Sequence, residues 1–267
     1  MAVHDFSDVL MESNVVDLLR KNGIHQPGVI KVDTSFTKLP YPFIIQDGGT
    51  GKPLSYYLAR NDTDQLKHIY HAIGEYYSKF ADIANDWAGV WDVFPENKKY
   101  PLHPAEAMYQ LEIEQGSGHK AYTTGAIPPE QYEKIKTVWH NNISLLKEKP
   151  VCLVHYSPFP WTIYISETEC SYQVSKIAAL GDIIWWDADI MAAHVLYPPF
   201  FTIDEDLRKA FLDGYKKDIN KKCVSLYCIM HRLCAWAGIY EEPDFDTNAS
   251  WRQSCISDIK ILMEDCI

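Results

Sequence analysis

Apolar and polar positions alternate with two distinct periods along this chain, and the periods place most of its elements. From Phe6 to Lys21 the residues Leu10, Val15, Val16, Leu18 and Leu19 recur at helical spacing, and Gly23 follows where a helix would end. Asp64 to Ala84 puts Leu66, Ile69, Tyr70, Ile73, Tyr77 and Phe80 on one helical face. Pro104 to Gln115 and Pro128 to Leu146 read as further helices, the second opening on Pro128-Pro129-Glu130, a composition suited to a first turn. Asp204 to Asn220, Val224 to Gly238 and Trp251 to Cys266 complete the helical set. Short strands are expected at Val29 to Val32, Pro42 to Gln46 and Val151 to Val154, with Ile163 to Ile165 and Val174 to Ala178 as a paired set. Asp47-Gly48-Gly49-Thr50-Gly51 is a turn. Small mixed beginnings followed by a large helical portion with a hairpin inside it predict an α+β fold, not a doubly wound sheet.

Composition narrows the function classes. The 267 residues are 47% hydrophobic, enough for a folded domain with a sizeable core. The formal net charge is −11, a field that repels phosphate backbones and anionic lipid, so nucleic acid and membrane surfaces are not expected partners. No run approaches the roughly 20 apolar residues of a membrane span. The acidic N-terminus lacks the order of a signal peptide, which leads to a cytoplasmic expectation. The seven cysteines include no CxxC pair and sit mostly among apolar neighbours, as small buried hydrophobes do. The sequons at Asn61, Asn142 and Asn248 matter only in a secreted chain. His68, His71 and Glu75 share a helical face, but a further ligand at metal spacing is not evident, so no metal or other cofactor is expected.

Three segments carry a family likeness. The first is Val15-Val16-Asp17-Leu18-Leu19-Arg20-Lys21-Asn22-Gly23-Ile24 followed by Pro27-Gly28-Val29. The second is Tyr41-Pro42-Phe43-Ile44-Ile45-Gln46, leading to Gly51-Lys52-Pro53-Leu54-Ser55. The third is Leu153-Val154-His155-Tyr156-Ser157-Pro158-Phe159-Pro160-Trp161-Thr162-Ile163-Tyr164-Ile165. In this order they resemble the aminoglycoside phosphotransferase family, a kinase-like branch acting on small molecules. The segments correspond to its first-lobe helix and strand, its hinge, and its catalytic loop, H-G-D-x-x-x-x-N. The resemblance covers most of the chain. It implies a kinase-like fold with a reduced N-lobe over residues 1–55 and a large helical C-lobe over 56–267, with the catalytic-loop hairpin embedded.

The departures from that pattern shape the functional expectation. Phosphoryl transfer needs a phosphate loop, a lysine on the phosphates, a carboxylate for the nucleophile and two metal ligands. The resemblance places Ser157 at the family's catalytic aspartate and Thr162 at its metal-binding asparagine. The second metal aspartate falls on Ala179 when Ile177-Ala178-Ala179-Leu180-Gly181-Asp182 is aligned, or on Trp185 in a register starting at Ile183-Ile184. The phosphate loop and lysine would lie upstream of the first helix, and the chain is expected to lack them. Without metal, lysine and base the barrier rises by well over ~5 kcal/mol.

The acceptor half of the cleft is the part expected to survive. His155, Tyr156, Ser157, Phe159 and Trp161 stand in the loop; Asp182, Trp185, Trp186, Asp187, Asp189 and His194 follow the hairpin. Large aromatics in place of glycine and asparagine suit an apolar or amphipathic organic ligand. The candidate catalytic residues are His155, Ser157, Asp182 and Asp187. The candidate ligand contacts are Tyr156, Phe159, Trp161, Trp185, Trp186 and His194. Bland roles compete: His155 as a loop-holding hydrogen-bonder, Asp187 as a helix N-cap, Asp182 as a turn residue, and one of Trp185 and Trp186 as core. Two functions follow, beside a third reading as a decayed, non-functional paralogue or a fragment that works only with another lobe. One is a repurposed cofactor-free enzyme of cyclase, isomerase or pericyclic type in a biosynthetic pathway. The other is a non-catalytic regulatory or binding pseudokinase. A strand edge left bare by a reduced N-lobe would need covering, and a homodimer is one way to do it.

Overall fold

The structure is a computed structural model that describes residues 6–47, 51–83, 89–90, 105–106, 109–148, 152–153, 163–167, 172–175, 182–184, 205–237 and 250–266. The chain divides into two compact units. The first comprises residues 1–99, 151–191 and 204–217; the second comprises 100–150, 192–203 and 218–267.

The first unit opens with α1 (Phe6–Lys21), over the residues its apolar period marks. Val15, Val16 and Leu19 are buried, and the helix packs on an antiparallel ribbon of β1 (Val29–Asp33) and β2 (Phe43–Gln46). Next come β3 (Lys52–Pro53) and a short helix, α2 (Leu54–Arg60), which Asn61 ends in a left-handed conformation. Helix α3 (Thr63–Ala81) starts one residue earlier and stops three earlier than the apolar pattern suggests. Its start is fixed by Asp62, whose side chain accepts the backbone N–H of Gln65 at 3.1 Å, satisfying one of the free donors of the first turn. Leu66, Ile69, Tyr70, Ile73, Tyr77 and Phe80 form its buried face, as their spacing predicts.

That face packs on α6 (Glu205–Tyr215) through two glycines. A β-carbon on Gly74 would lie 2.1 Å from the Phe211 carbonyl oxygen, and one on Gly214 would lie 2.0 Å from that of His71. The two backbones therefore approach as closely as helices can. Phe211 fills the adjoining space against Tyr77, their ring centroids 6.2 Å apart. The helix α6 ends five residues before the predicted Asn220.

The strands of this unit are short. In chain order they are β4 (Gly89–Val90), β5 (Cys152–Leu153), β6 (Tyr164–Glu167), β7 (Tyr172–Ser175) and β8 (Asp182–Ile184). They form two three-stranded antiparallel sheets, β3-β6-β7 and β4-β8-β5. The predicted pairing of the two hairpin segments is present, with Ile165 opposite Val174.

The second unit is helical among its described residues. A π-helix (Tyr109–Glu114) lies in the stretch predicted as an ordinary helix. It is followed by α4 (Ser117–Thr123), α5 (Pro129–Lys147), α7 (Lys221–Ala237) and α8 (Ser250–Asp265). Helix α7 is central: it packs on α4, α5, α8 and the π-helix, and twelve of its residues are buried. An apolar surround on so many sides explains why its sequence shows no clean polar face. Trp139 and Trp236 are fully buried here, and the Trp139 indole N–H donates to the Ala105 carbonyl at 3.3 Å. Cys223, Cys228 and Cys255 are buried in these helices and Cys266 just after α8, the small-hydrophobe role their surroundings predict. Burial pushes the Cys228 thiol up to about 12.

Candidate functional site

The site is framed by the strands that enter and leave the segment resembling a catalytic loop. Cys152, fully buried, and Leu153 form β5 at its entrance. Ile163, just before β6, and Ile165 within it are both buried and hold its exit. Three contacts fasten that exit to the segment resembling a hinge. The Leu54 N–H donates to the Ile163 carbonyl at 2.8 Å. Lys52 and Pro53 pair with Ile165 and Tyr164. The buried Tyr57 hydroxyl donates to the Ile165 carbonyl at 3.4 Å.

Gly51 permits this junction. Its φ is +127°, a conformation that side chains oppose, and a β-carbon there would stand 2.3 Å from the Ile165 carbonyl oxygen. The sequence marks Gly51 as part of a turn. It does not show that the turn presses against the strand leaving the loop. A glycine immediately before a strand, where backbones approach, was the available signal.

Underneath, α3 packs on β5 and β7 and forms the floor of the frame. Its tyrosines are phenols held neutral by their surroundings: burial raises Tyr70, Tyr76 and Tyr77 well above the usual range. Tyr76 also receives a short hydrogen bond from the buried Gln26 amide, which works against the shift. Gln26, on the link between α1 and β1, is a buried polar residue that pattern reading did not single out.

Asp182 is placed by its backbone as the first residue of β8, opposite Val90 of β4. The next two residues of that strand pair with Leu153 and Cys152 of β5. Hence the strand beginning at Asp182 lies beside the strand entering the loop, which brings two of the sequence-predicted regions together. His155, Tyr156, Ser157, Phe159, Trp161, Trp185, Trp186, Asp187 and His194 lie outside the described residues. Across the loop, from Val151 to Ile165, the sequence contains no aspartate, glutamate or asparagine. From Tyr172 to Ile184 it contains a single carboxylate, Asp182.

No protein-family model and no curated protein matches this sequence. Solved structures do match. The complex of APH(2'')-IIia with GDP and kanamycin superposes with a TM-score of 0.62 at 12% identity, over 97% of this chain and 82% of that one. A choline/ethanolamine kinase family protein from Mesorhizobium loti gives 0.57 at 13% identity, over 97% and 79%. The ethanolamine kinase of Plasmodium vivax gives 0.57 at 12% identity, over 100% and 75%. The chain has the aminoglycoside phosphotransferase-like kinase fold. Its short antiparallel sheets, embedded hairpin and large helical complement are those of that α+β architecture, as the three sequence segments imply. The likeness at this identity is one of fold. The nucleotide and aminoglycoside belong to the neighbours that contain them.

Proposed function

We propose that this kinase-like scaffold does not transfer phosphate and instead uses its acceptor groove on a small organic metabolite. The observation that carries the reading is the chemistry of the loop between β5 and β6. A phosphoryl group in transit needs a carboxylate to orient the acceptor and anionic or amide oxygens to hold magnesium. The loop offers neither, having no aspartate, glutamate or asparagine from Val151 to Ile165. This holds in any register of the alignment. Asp182, at the start of β8, cannot by itself replace both a base and a pair of metal ligands.

What remains suits cofactor-free rearrangement, namely cyclisation, isomerisation or a pericyclic step, with atoms conserved between substrate and product. Such steps are accelerated by holding the substrate in a reactive shape in a site that excludes water. In this reading Tyr156, Phe159, Trp161, Trp185, Trp186 and His194 supply the apolar walls. Ser157 and His155 donate hydrogen bonds to a carbonyl or developing oxyanion. Asp182 or Asp187 accepts a substrate proton and returns it at another atom, so no external acid or base is consumed.

The test is incubation of the purified protein with a library of apolar and amphipathic metabolites in excess EDTA, followed by mass spectrometry and chromatography. The expected result is a product of unchanged mass and altered retention, lost in the Ser157→Ala and His155→Ala variants. Binding without turnover would replace the enzyme with a binding protein on the same scaffold. Turnover that stops in EDTA would overturn the metal-free mechanism.

A further inference from the structure

Tyr56 is set apart from the other tyrosines by what surrounds its hydroxyl. Among the described residues most tyrosines are buried, and the exposed ones are Tyr56 (41% exposed) and Tyr122 (38%). Tyr122 lies flat against Tyr132, with ring centroids 4.8 Å apart. Tyr56 instead has two cations over its ring. The Arg60 guanidinium, one helical turn further along α2, is 5.4 Å from the ring centroid, and its Nη1 donates to the Tyr56 hydroxyl oxygen at 2.6 Å. The Lys52 ammonium, from β3, is 5.9 Å from the same centroid.

The charge balance makes this grouping informative. Acidic residues outnumber Lys and Arg by 36 to 25, so carboxylates are in excess. Several basic side chains of this unit take one: Lys67 pairs with Asp206 at 2.6 Å, Lys216 with Glu75 at 3.5 Å, and Lys217 with Asp82. Lys52 and Arg60 have no carboxylate partner among the described residues and converge on a phenol. A neutral hydroxyl is a weak acceptor for two cations. A phosphate ester on the same oxygen would offer them close to two negative charges and three strong acceptor oxygens.

The place of Tyr56 in the chain gives such a change a consequence. Helix α2 has seven residues and starts at Pro53 with no side-chain cap, and a helix this short draws its order from its neighbours. It is also the element that grips the exit of the loop between β5 and β6. The Leu54 N–H donates to the Ile163 carbonyl at 2.8 Å, and the Tyr57 hydroxyl donates to the Ile165 carbonyl at 3.4 Å. A phosphate held by Arg60 and Lys52 would tie the end of α2 to the strand before it and so firm that grip.

We propose that Tyr56 is a regulatory phosphorylation site, with Arg60 and Lys52 as the receivers of its phosphate. A separate tyrosine-directed kinase moves the γ-phosphoryl group of ATP onto the Tyr56 oxygen. The bond from that phosphorus to the β,γ-bridging oxygen breaks, the bond to the phenol oxygen forms, the hydroxyl proton passes to the kinase's base, and ADP leaves. Arg60 then holds the phosphate through a bidentate contact, and Lys52 joins it on its flexible stem. The inference rests on this patch and is independent of the chemistry assigned to the groove.

Hydrogen exchange on the full chain tests it, with and without phosphotyrosine installed at position 56 during translation. Amides of residues 54–60 and 163–165 are expected to exchange at least ~3-fold more slowly in the phosphorylated chain. Arg60→Ala should remove most of that gain, and ~0.5 M salt should reduce it. Incubation of the unmodified chain with a broad-specificity tyrosine kinase and ATP should label Tyr56 ahead of Tyr122, as read by peptide mass spectrometry. Tyr56→Phe should lose that label with an unchanged circular dichroism spectrum. Unchanged exchange in the phosphotyrosine chain overturns the proposal, as does a gain that survives Arg60→Ala or a label that falls on Tyr122 in preference to Tyr56. The same protection of the unmodified chain by ~10 mM inorganic phosphate also overturns it, because Arg60 and Lys52 would then serve a free anion.

Discussion

Single residues decide whether the frame of the site can form, and Gly51 is the sharpest case. Replacing it with alanine puts a methyl group 2.3 Å from the Ile165 carbonyl oxygen, at a φ of +127° that alanine itself resists. Backbone strain and overlap act together, so Gly51→Ala should cost about 2–4 kcal/mol. Chemical denaturation would measure it, and a loss under ~0.5 kcal/mol would mean that the approach of β3 to β6 is looser than described. Residues of this type are only half legible in a sequence. A glycine run announces a turn, but the strand it presses on lies far along the chain, and no local pattern connects the two. Gln26 is illegible for a related reason: it is polar on a linker, yet buried, because Tyr76 from α3 meets it. The candidate site is the opposite case. Its residues were named from motif chemistry, and of these the structure describes the backbone of Asp182.

At the scale of elements, long periodic helices were readable and short pieces were not. Helices α1, α3, α5, α7 and α8 have several apolar turns each, and their bounds fall within a few residues of those the period gives. Strands β3, β4 and β8, of two or three residues, are too short to show any alternation. They exist because a partner strand supplies their hydrogen bonds. The π-helix at Tyr109–Glu114 keeps nearly helical spacing and is distinguished by its hydrogen-bond pattern, which side chains do not advertise. The crossing of α3 and α6 shows which of two opposed effects wins. Gly74→Ala would gain up to ~1 kcal/mol of helix propensity. It would also drive a methyl group to 2.1 Å from the Phe211 carbonyl, between two rigid backbones. Overpacking of that kind costs ~1–3 kcal/mol or more. Gly74→Ala and Gly214→Ala should therefore both lower the thermal midpoint, and a raised midpoint in either would show that the helices stand further apart.

For the whole molecule, the arrangement of strands and helices is that of the aminoglycoside phosphotransferase-like kinase fold, whereas the sequence from Val151 to Ile165 contains no aspartate, glutamate or asparagine. Fold and chemistry are separable because packing depends on the apolar residues that fill the frame, such as Cys152, Ile163, Ile165 and the buried face of α3. Among the described residues no helix is long and apolar enough to cross a membrane. With a charge of −11, an anionic nucleotide is held only where metal or cationic side chains offset the field. Phosphate transfer on this scaffold would require magnesium and ATP, and isothermal titration calorimetry tests their binding directly. The protein is titrated with ATP to millimolar concentration, with and without magnesium. No saturable heat is expected in either titration. Metal-dependent binding would contradict it, and Asp182 or Asp187 would then be sought as the ligand that keeps this fold a kinase.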